Sequence, residues 1–240
     1  NKVDDELYAI DEIYERKNEL VRPSVANIDT LIITFASARP KPDLYLVDKL
    51  TAAAIDRSIE PVICITKSDI KDPGEYRKIY EDAGFLTVVT GDDAFDESVF
   101  DEITKGKVTA LAGCSGVGKS TLINRISGLD SLLTSSVSKK TERGRHTTRH
   151  IELLTLKNGG WILDTPGFSS LMLPEMEKEE LQLYFPDFTP FEPYCRFQGC
   201  LHDREPDCGV KDAVTEGKIS KRRYQSYLEM LEELKDRRKY

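Results

Sequence analysis

The densest chemistry in the sequence lies in Gly113-Cys114-Ser115-Gly116-Val117-Gly118-Lys119-Ser120. Glycines at these positions let a loop turn so tightly that successive backbone N–H groups point inward at a phosphate. Lys119 adds a point charge for the β/γ oxygens and Ser120 a hydroxyl for Mg²⁺. This is the spacing of a P-loop, with Thr121 next in line at the same phosphate-facing turn. Residues 107–112 read as a short buried strand leading in. Residues 120–126 read as the helix whose N-terminus receives the anion. A plain glycine-rich turn would not need the strand before it and the helix after it.

Two further stretches complete a nucleotide site. In Leu163-Asp164-Thr165-Pro166-Gly167 a carboxylate after a strand can reach a Mg²⁺ shell, and the Gly167 N–H can sense a γ-phosphate. Between it and the P-loop, Gly144-Arg145-His146-Thr147-Thr148-Arg149 offers Thr147 or Thr148 as a second hydroxyl for Mg²⁺; β-propensity at a strand start explains either threonine equally well. Thr66-Lys67-Ser68-Asp69 closes a predicted strand, where ligand-facing loops leave an α/β sheet. The Asp69 carboxylate can accept from N1–H and the N2 amine of guanine, a donor pair that adenine lacks. The stretch resembles the Asn-Lys-x-Asp signature of GTPases with Thr66 in place of Asn. In ordinary GTPases that signature follows the other two motifs, and here it precedes both, which is the order of a circularly permuted GTPase.

A separate constellation, Cys195-x4-Cys200-x-His202-x5-Cys208, supplies three thiolates and one imidazole. That is the number and softness of ligands for a closed tetrahedral structural zinc site. Redox or catalytic cysteines fit less well, because no base stands near them in sequence. Cys64 reads as a buried strand residue and Cys114 as a variable position of the P-loop.

The elements that must hold these residues follow an α/β pattern. The apolar runs 28–35, 61–66 and 85–90 read as strands buried on both faces, alternating with helices at 42–54, with Pro42 in the first turn, and 73–83. Residues 151–156 and 161–163 flank Asn158-Gly159 as a β-hairpin. Residues 129–149 are polar and aperiodic and read as a mobile loop. From Ile219 onward Tyr224, Tyr227, Leu228, Leu231 and Leu234 share one helical face. With 240 residues, 39% of them hydrophobic, the chain can bury a core. A net charge of −8 argues against a wholly basic nucleic-acid binder while leaving room for basic patches. No apolar run reaches a membrane span, and the acidic start does not resemble a signal peptide, so a cytoplasmic, membrane-free protein is expected.

Together, the permuted motif order, the Gly-Arg-His-Thr-Thr loop and the Cys/His module resemble the RsgA (YjeQ, YloQ) family of bacterial ribosome-assembly GTPases. The resemblance covers essentially the whole chain and implies three parts: a remnant of an N-terminal OB-fold at 1–22, a permuted GTPase domain at 23–173 and a zinc-binding module at 174–240. It implies binding of the small ribosomal subunit and its rRNA, with hydrolysis of GTP to GDP stimulated by that subunit, by a chain expected to be a monomer. Phe168, where many GTPases carry a glutamine, cannot orient water, and the resemblance puts His146 in that role. Thr66 is expected to tether the base loop less well than asparagine. RNA contacts are expected from Arg143, Arg145 and Arg149, or from Lys221-Arg222-Arg223 and Arg237-Arg238-Lys239 unless these form a solvated helix face. A P-loop kinase or ATPase, and a non-catalytic zinc-dependent RNA-binding module, are the competing classes; neither explains the permuted order.

Overall fold

The computed structural model describes residues 2–4, 7–8, 12–20, 25–128, 152–164, 173 and 176–237. Its elements in chain order are β1 (Lys2–Asp4), β2 (Leu7–Tyr8), β3 (Glu19–Leu20), β4 (Val25–Ala26), β5 (Thr30–Ala36), α1 (Leu44–Asp56), β6 (Glu60–Thr66), α2 (Gly74–Asp82), β7 (Thr87–Val89), α3 (Glu97–Thr104), β8 (Val108–Ala112), α4 (Lys119–Ser127), β9 (Glu152–Thr155) and β10 (Trp161–Asp164). Then come 3-10 turns at Leu181–Tyr184 and Glu192–Tyr194, α5 (Gly209–Thr215) and α6 (Lys221–Arg237).

Six strands form one sheet in the order β7-β6-β5-β8-β10-β9. The first five run parallel, and β9 closes the edge antiparallel to β10. All seven residues of β5 are buried, because a parallel strand with helices on both faces has no wet side. Alternation along β5 sorts the core. Leu31, Ile33 and Phe35 face α1 and α2 (Leu44, Val47, Leu50, Tyr80), while Ile32 faces α3 and α4 (Phe100, Ile103, Leu122, Ile123). The strand–helix alternation and the 158–159 hairpin expected from sequence are present.

Three details depart from expectation. Pro42 lies outside α1, which starts after Asp43, whose side chain caps the Leu46 N–H. The 85–90 run pairs only over Thr87–Val89. Helix α3, capped by Asp96, has no counterpart in the sequence reading.

The C-terminal segment has its own core, in which Tyr227, Leu231 and Leu234 of α6 pack with Phe185, Phe188, Val210 and Leu173. It docks on α1 through Tyr45 Oη to Glu233 (2.8 Å), Lys49 Nζ to Glu233 (3.0 Å) and Tyr184 Oη to Asp56 (3.0 Å). At the centre of the joint Arg223 is fully buried. Its guanidinium donates to both oxygens of Asp187 (2.8 and 3.0 Å) and to Asp48 Oδ1 (2.7 Å). The rings of Phe85 and Phe185 lie 5.1 Å from it. Arg223 therefore belongs neither to a solvated helix face nor to an RNA-facing surface. Of its neighbours, Lys221 is exposed and Arg222 half-buried. The Arg237 side chain, Arg238 and Lys239 lie outside the described residues.

Candidate functional site: a phosphate loop, a base cleft and a Cys3His cluster

β8 delivers the chain to Gly113, whose φ of +140° excludes most side chains; a Cβ there would lie 2.0 Å from the Thr34 carbonyl oxygen of β5. Conformation and close approach both require glycine. Gly116 and Gly118 are also left-handed, and buried Val117 between them anchors the loop in the core. Helix α4 starts after Gly118 without a side-chain cap, so no side chain competes for the N–H groups of its first turn. Lys119 Nζ donates to the carbonyls of Gly113 and Cys114 (2.7 Å each) and lies back across the loop. Ser115, Ser120 and Thr121 are exposed beside it, and Cys114 is half-buried.

The Thr66–Asp69 stretch, some fifty residues earlier, is brought to the same place. Thr66 ends β6, and its hydroxyl donates to Val117 O (2.5 Å). Lys67, at φ +59°, donates to Gly116 O (2.8 Å) and Arg39 O (2.6 Å). The threonine thus keeps a direct tether to the P-loop, because its buried position at the strand end already places Oγ1 within reach. Ser68 N donates to Thr90 O (3.1 Å), and the exposed Asp69 carboxylate accepts from Asp92 N (3.3 Å). Between the two motifs is a cleft of about 300 Å³ lined by Thr66, Lys67, Asp69, Ile70, Thr90, Gly91, Asp92, Phe95, Gly118, Thr121, Leu122 and Arg125. Its size is at the lower end of ligand sites. The sequence places Thr90 at the end of a strand, but 91–95 and Arg125 are not singled out there. A strand followed by Gly91 was the one available hint.

Asp164 is the last residue of β10, which runs parallel to β8 with Leu163 opposite Ala110. It therefore ends at the sheet edge where the P-loop emerges. Its side chain, together with Gly167, His146, Thr147, Thr148, Arg143, Arg145 and Arg149, lies outside the described residues.

The four zinc candidates converge. Cys195 Sγ, Cys200 Sγ, Cys208 Sγ and a ring nitrogen of His202 all lie within 4.8 Å of one another. Cys195 and Cys208 sulfurs are 3.8 Å apart, and His202 Nδ1 lies 3.5 and 3.3 Å from them. A tetrahedral ion with Zn–S about 2.3 Å and Zn–N about 2.0 Å requires separations of about 3.8 and about 3.5 Å, so the donor set fits zinc, as does the spacing of Cys195, Cys208 and His202. The other ring nitrogen, Nε2, lies 2.8 Å from Gln182 Oε1, which fixes the tautomer that turns Nδ1 inward. Gln182 was not singled out in the sequence. Tyr224 Oη donates to His202 O (2.6 Å) and Tyr227 Oη to Leu201 O (2.9 Å), tying the cluster to α6. Burial pushes the Cys208 thiol up to about 12 and the His202 imidazole down. A cation is what would draw the thiols into thiolate form.

The RsgA GTPase family model matches residues 13–174. The chain belongs to the RsgA GTPase family. Proteins of Agathobacter rectalis and Alkaliphilus metalliredigens, each named small ribosomal subunit biogenesis GTPase RsgA, are 46% identical to it; the matches cover 96% of this chain and 78% and 80% of theirs. A crystal structure of YloQ, described as a circularly permuted GTPase, superposes with a TM-score of 0.76 at 36% identity, covering 94% of this chain and 75% of that one. YjeQ from Thermotoga maritima gives 0.74 at 35% identity, covering 93% and 77%. RsgA-family membership makes the chain a GTPase with a permuted α/β domain, and the kinase and non-catalytic readings find no support.

Proposed function

We propose that this RsgA-family GTPase acts in biogenesis of the small ribosomal subunit, binding GTP with its phosphates on the 113–120 loop and its guanine in the cleft above Asp69. The observation that carries the reading is the pair of bonds from Thr66 and Lys67 to the P-loop, which joins phosphate and base recognition into one site. The loop N–H groups and Lys119 hold the β/γ phosphates and neutralise charge as it moves onto the leaving oxygen. Ser120, Asp164 and one of Thr147 and Thr148 are hard oxygen donors suited to Mg²⁺. Ser120 is exposed on the first turn of α4, and Asp164 ends the strand beside β8. A Mg²⁺ held there would add positive charge at the phosphates. With Phe168 after Gly167, His146 orients the attacking water. Hydrolysis is slow until the subunit and its rRNA bind, with Arg143, Arg145 and Arg149 on rRNA phosphates. The Cys3His cluster holds one structural Zn²⁺, and the chain works as a cytoplasmic monomer.

Base recognition is tested by Asp69→Asn. A carboxylate accepts from guanine N1–H and N2, whereas an amide must donate to one of two partners, which suits xanthine. Competition binding should show GTP affinity falling at least tenfold while XTP affinity rises. Unchanged GTP preference would remove Asp69 from the site.

A further inference from the structure

The cleft beside the P-loop has a wall that neither nucleotide motif supplies. We propose that Arg125 is a positioning residue for guanine: it holds the 90–95 loop against the phosphate-binding helix so that Asp69 is aimed at the base. The inference rests on the reading of Asp69 as the base acceptor.

Three observations lead to it. The Thr66 hydroxyl is committed to Val117 O, and threonine has no amide to offer the acceptor edge of a purine. Base recognition therefore falls on Asp69 and on the backbone that adjoins it. That backbone is the 90–95 loop, and it is closely coupled to the carboxylate. Asp92 N donates to Asp69 Oδ1 (3.3 Å), and a Cβ on Gly91 would lie 2.5 Å from Ser68 Oγ and 3.0 Å from Asp69 Oδ1. A shift of the loop is thus a shift of the carboxylate. The loop is fastened from outside by Arg125, between one and two turns into α4. Its Nη1 donates to Gly91 O (2.7 Å), and its guanidinium carbon lies 5.5 Å over the Phe95 ring, which is itself stacked on Phe100 of α3 at 5.0 Å and 12°. A planar guanidinium can donate and stack at once, whereas a lysine ammonium can donate without stacking flat. The Arg125–Asp92 pair, at 3.9 Å with the Asp92 side chain exposed, adds little. The helix that begins with Lys119 and Ser120 thereby sets the base loop as well as the phosphates.

The test compares Arg125→Ala and Arg125→Lys in the full chain, with Asp69→Asn in parallel, by equilibrium binding of GDP and ADP and by steady-state GTP hydrolysis. Arg125→Ala is expected to weaken GDP about tenfold while ADP, held through its phosphates, changes less than twofold. The loss in turnover should appear in KM rather than kcat, and Arg125→Lys should fall between. Arg125 lines an open cleft, so thermal unfolding should show both variants folded; if the alanine variant does not fold, the lysine variant decides. Equal losses for GDP and ADP, or full GDP affinity in a folded variant while Asp69→Asn loses guanine preference, would overturn the positioning role. Guanine preference surviving in Asp69→Asn would instead overturn the reading of Asp69 beneath it.

Discussion

Arg223→Met removes the cation at the joint between α1 and the C-terminal module and leaves Asp48 and Asp187 buried together. Burial pushes the Asp48 carboxyl up to about 6 even with the guanidinium 2.7 Å away. Without its partner one of the two carboxylates must take up a proton or draw in water. Breaking a buried pair in this way costs about 3–5 kcal/mol. In a chain of 240 residues that lowers the melting temperature by about 10 °C. The pH dependence follows from the sign of the shift. Losing the arginine raises the Asp48 pKa further, so the folded variant binds more protons than the folded wild type, and its deficit must shrink as pH falls. Between pH 7.5 and 5.5 one proton taken up by the variant returns close to 3 kcal/mol. The wild type, titrating near 6 at Asp48, recovers a fraction of that itself, so the net gain is about 2 kcal/mol. Urea unfolding of the metal-loaded protein at both pH values measures it. A variant within about 1 kcal/mol of wild type at pH 7.5, or a deficit that does not narrow at pH 5.5, would refute the account of the joint.

Thr66→Val keeps the shape and loses the bond to Val117 O. Nucleotide affinity should fall about fivefold by fluorescent GDP titration, whereas Thr66→Ser should stay near wild type. Gln182→Ala frees the His202 ring on its outer side and should weaken zinc about 10–100-fold in chelator competition. Unaltered zinc affinity would deny Gln182 its orienting role.

The parts of the site legible in the sequence are those whose chemistry is local. A P-loop needs its glycines and lysine in one short run, and the Cys195–Cys208 cluster closes within fourteen residues. The sheet was legible because β5 and β6 are apolar along nearly their whole length. What escaped depends on partners far away in the chain. Arg223 sits in a Lys-Arg-Arg run that looks like a solvated face, and only Asp48, 175 positions earlier, and Asp187 explain its burial. Gln182 and Arg125 carry no local pattern, since each is defined by contacts with residues distant in sequence. Helix α3 has eight residues, of which Val99, Phe100 and Ile103 are its large apolar ones, too few for a period to emerge. Thr66 shows a motif departure whose consequence depended on geometry: the hydroxyl reaches the P-loop because β6 ends where it does.

The central claim is that this chain is a guanine-selective GTPase switched on by the small ribosomal subunit. The most direct measurement is phosphate release from GTP, with ATP as control, with and without purified small subunits at fixed salt. The account predicts slow GTP turnover, negligible ATP turnover, and a strong rise in the GTP rate alone when subunits are added. Equal hydrolysis of ATP, or a GTP rate that small subunits leave unchanged, would contradict it.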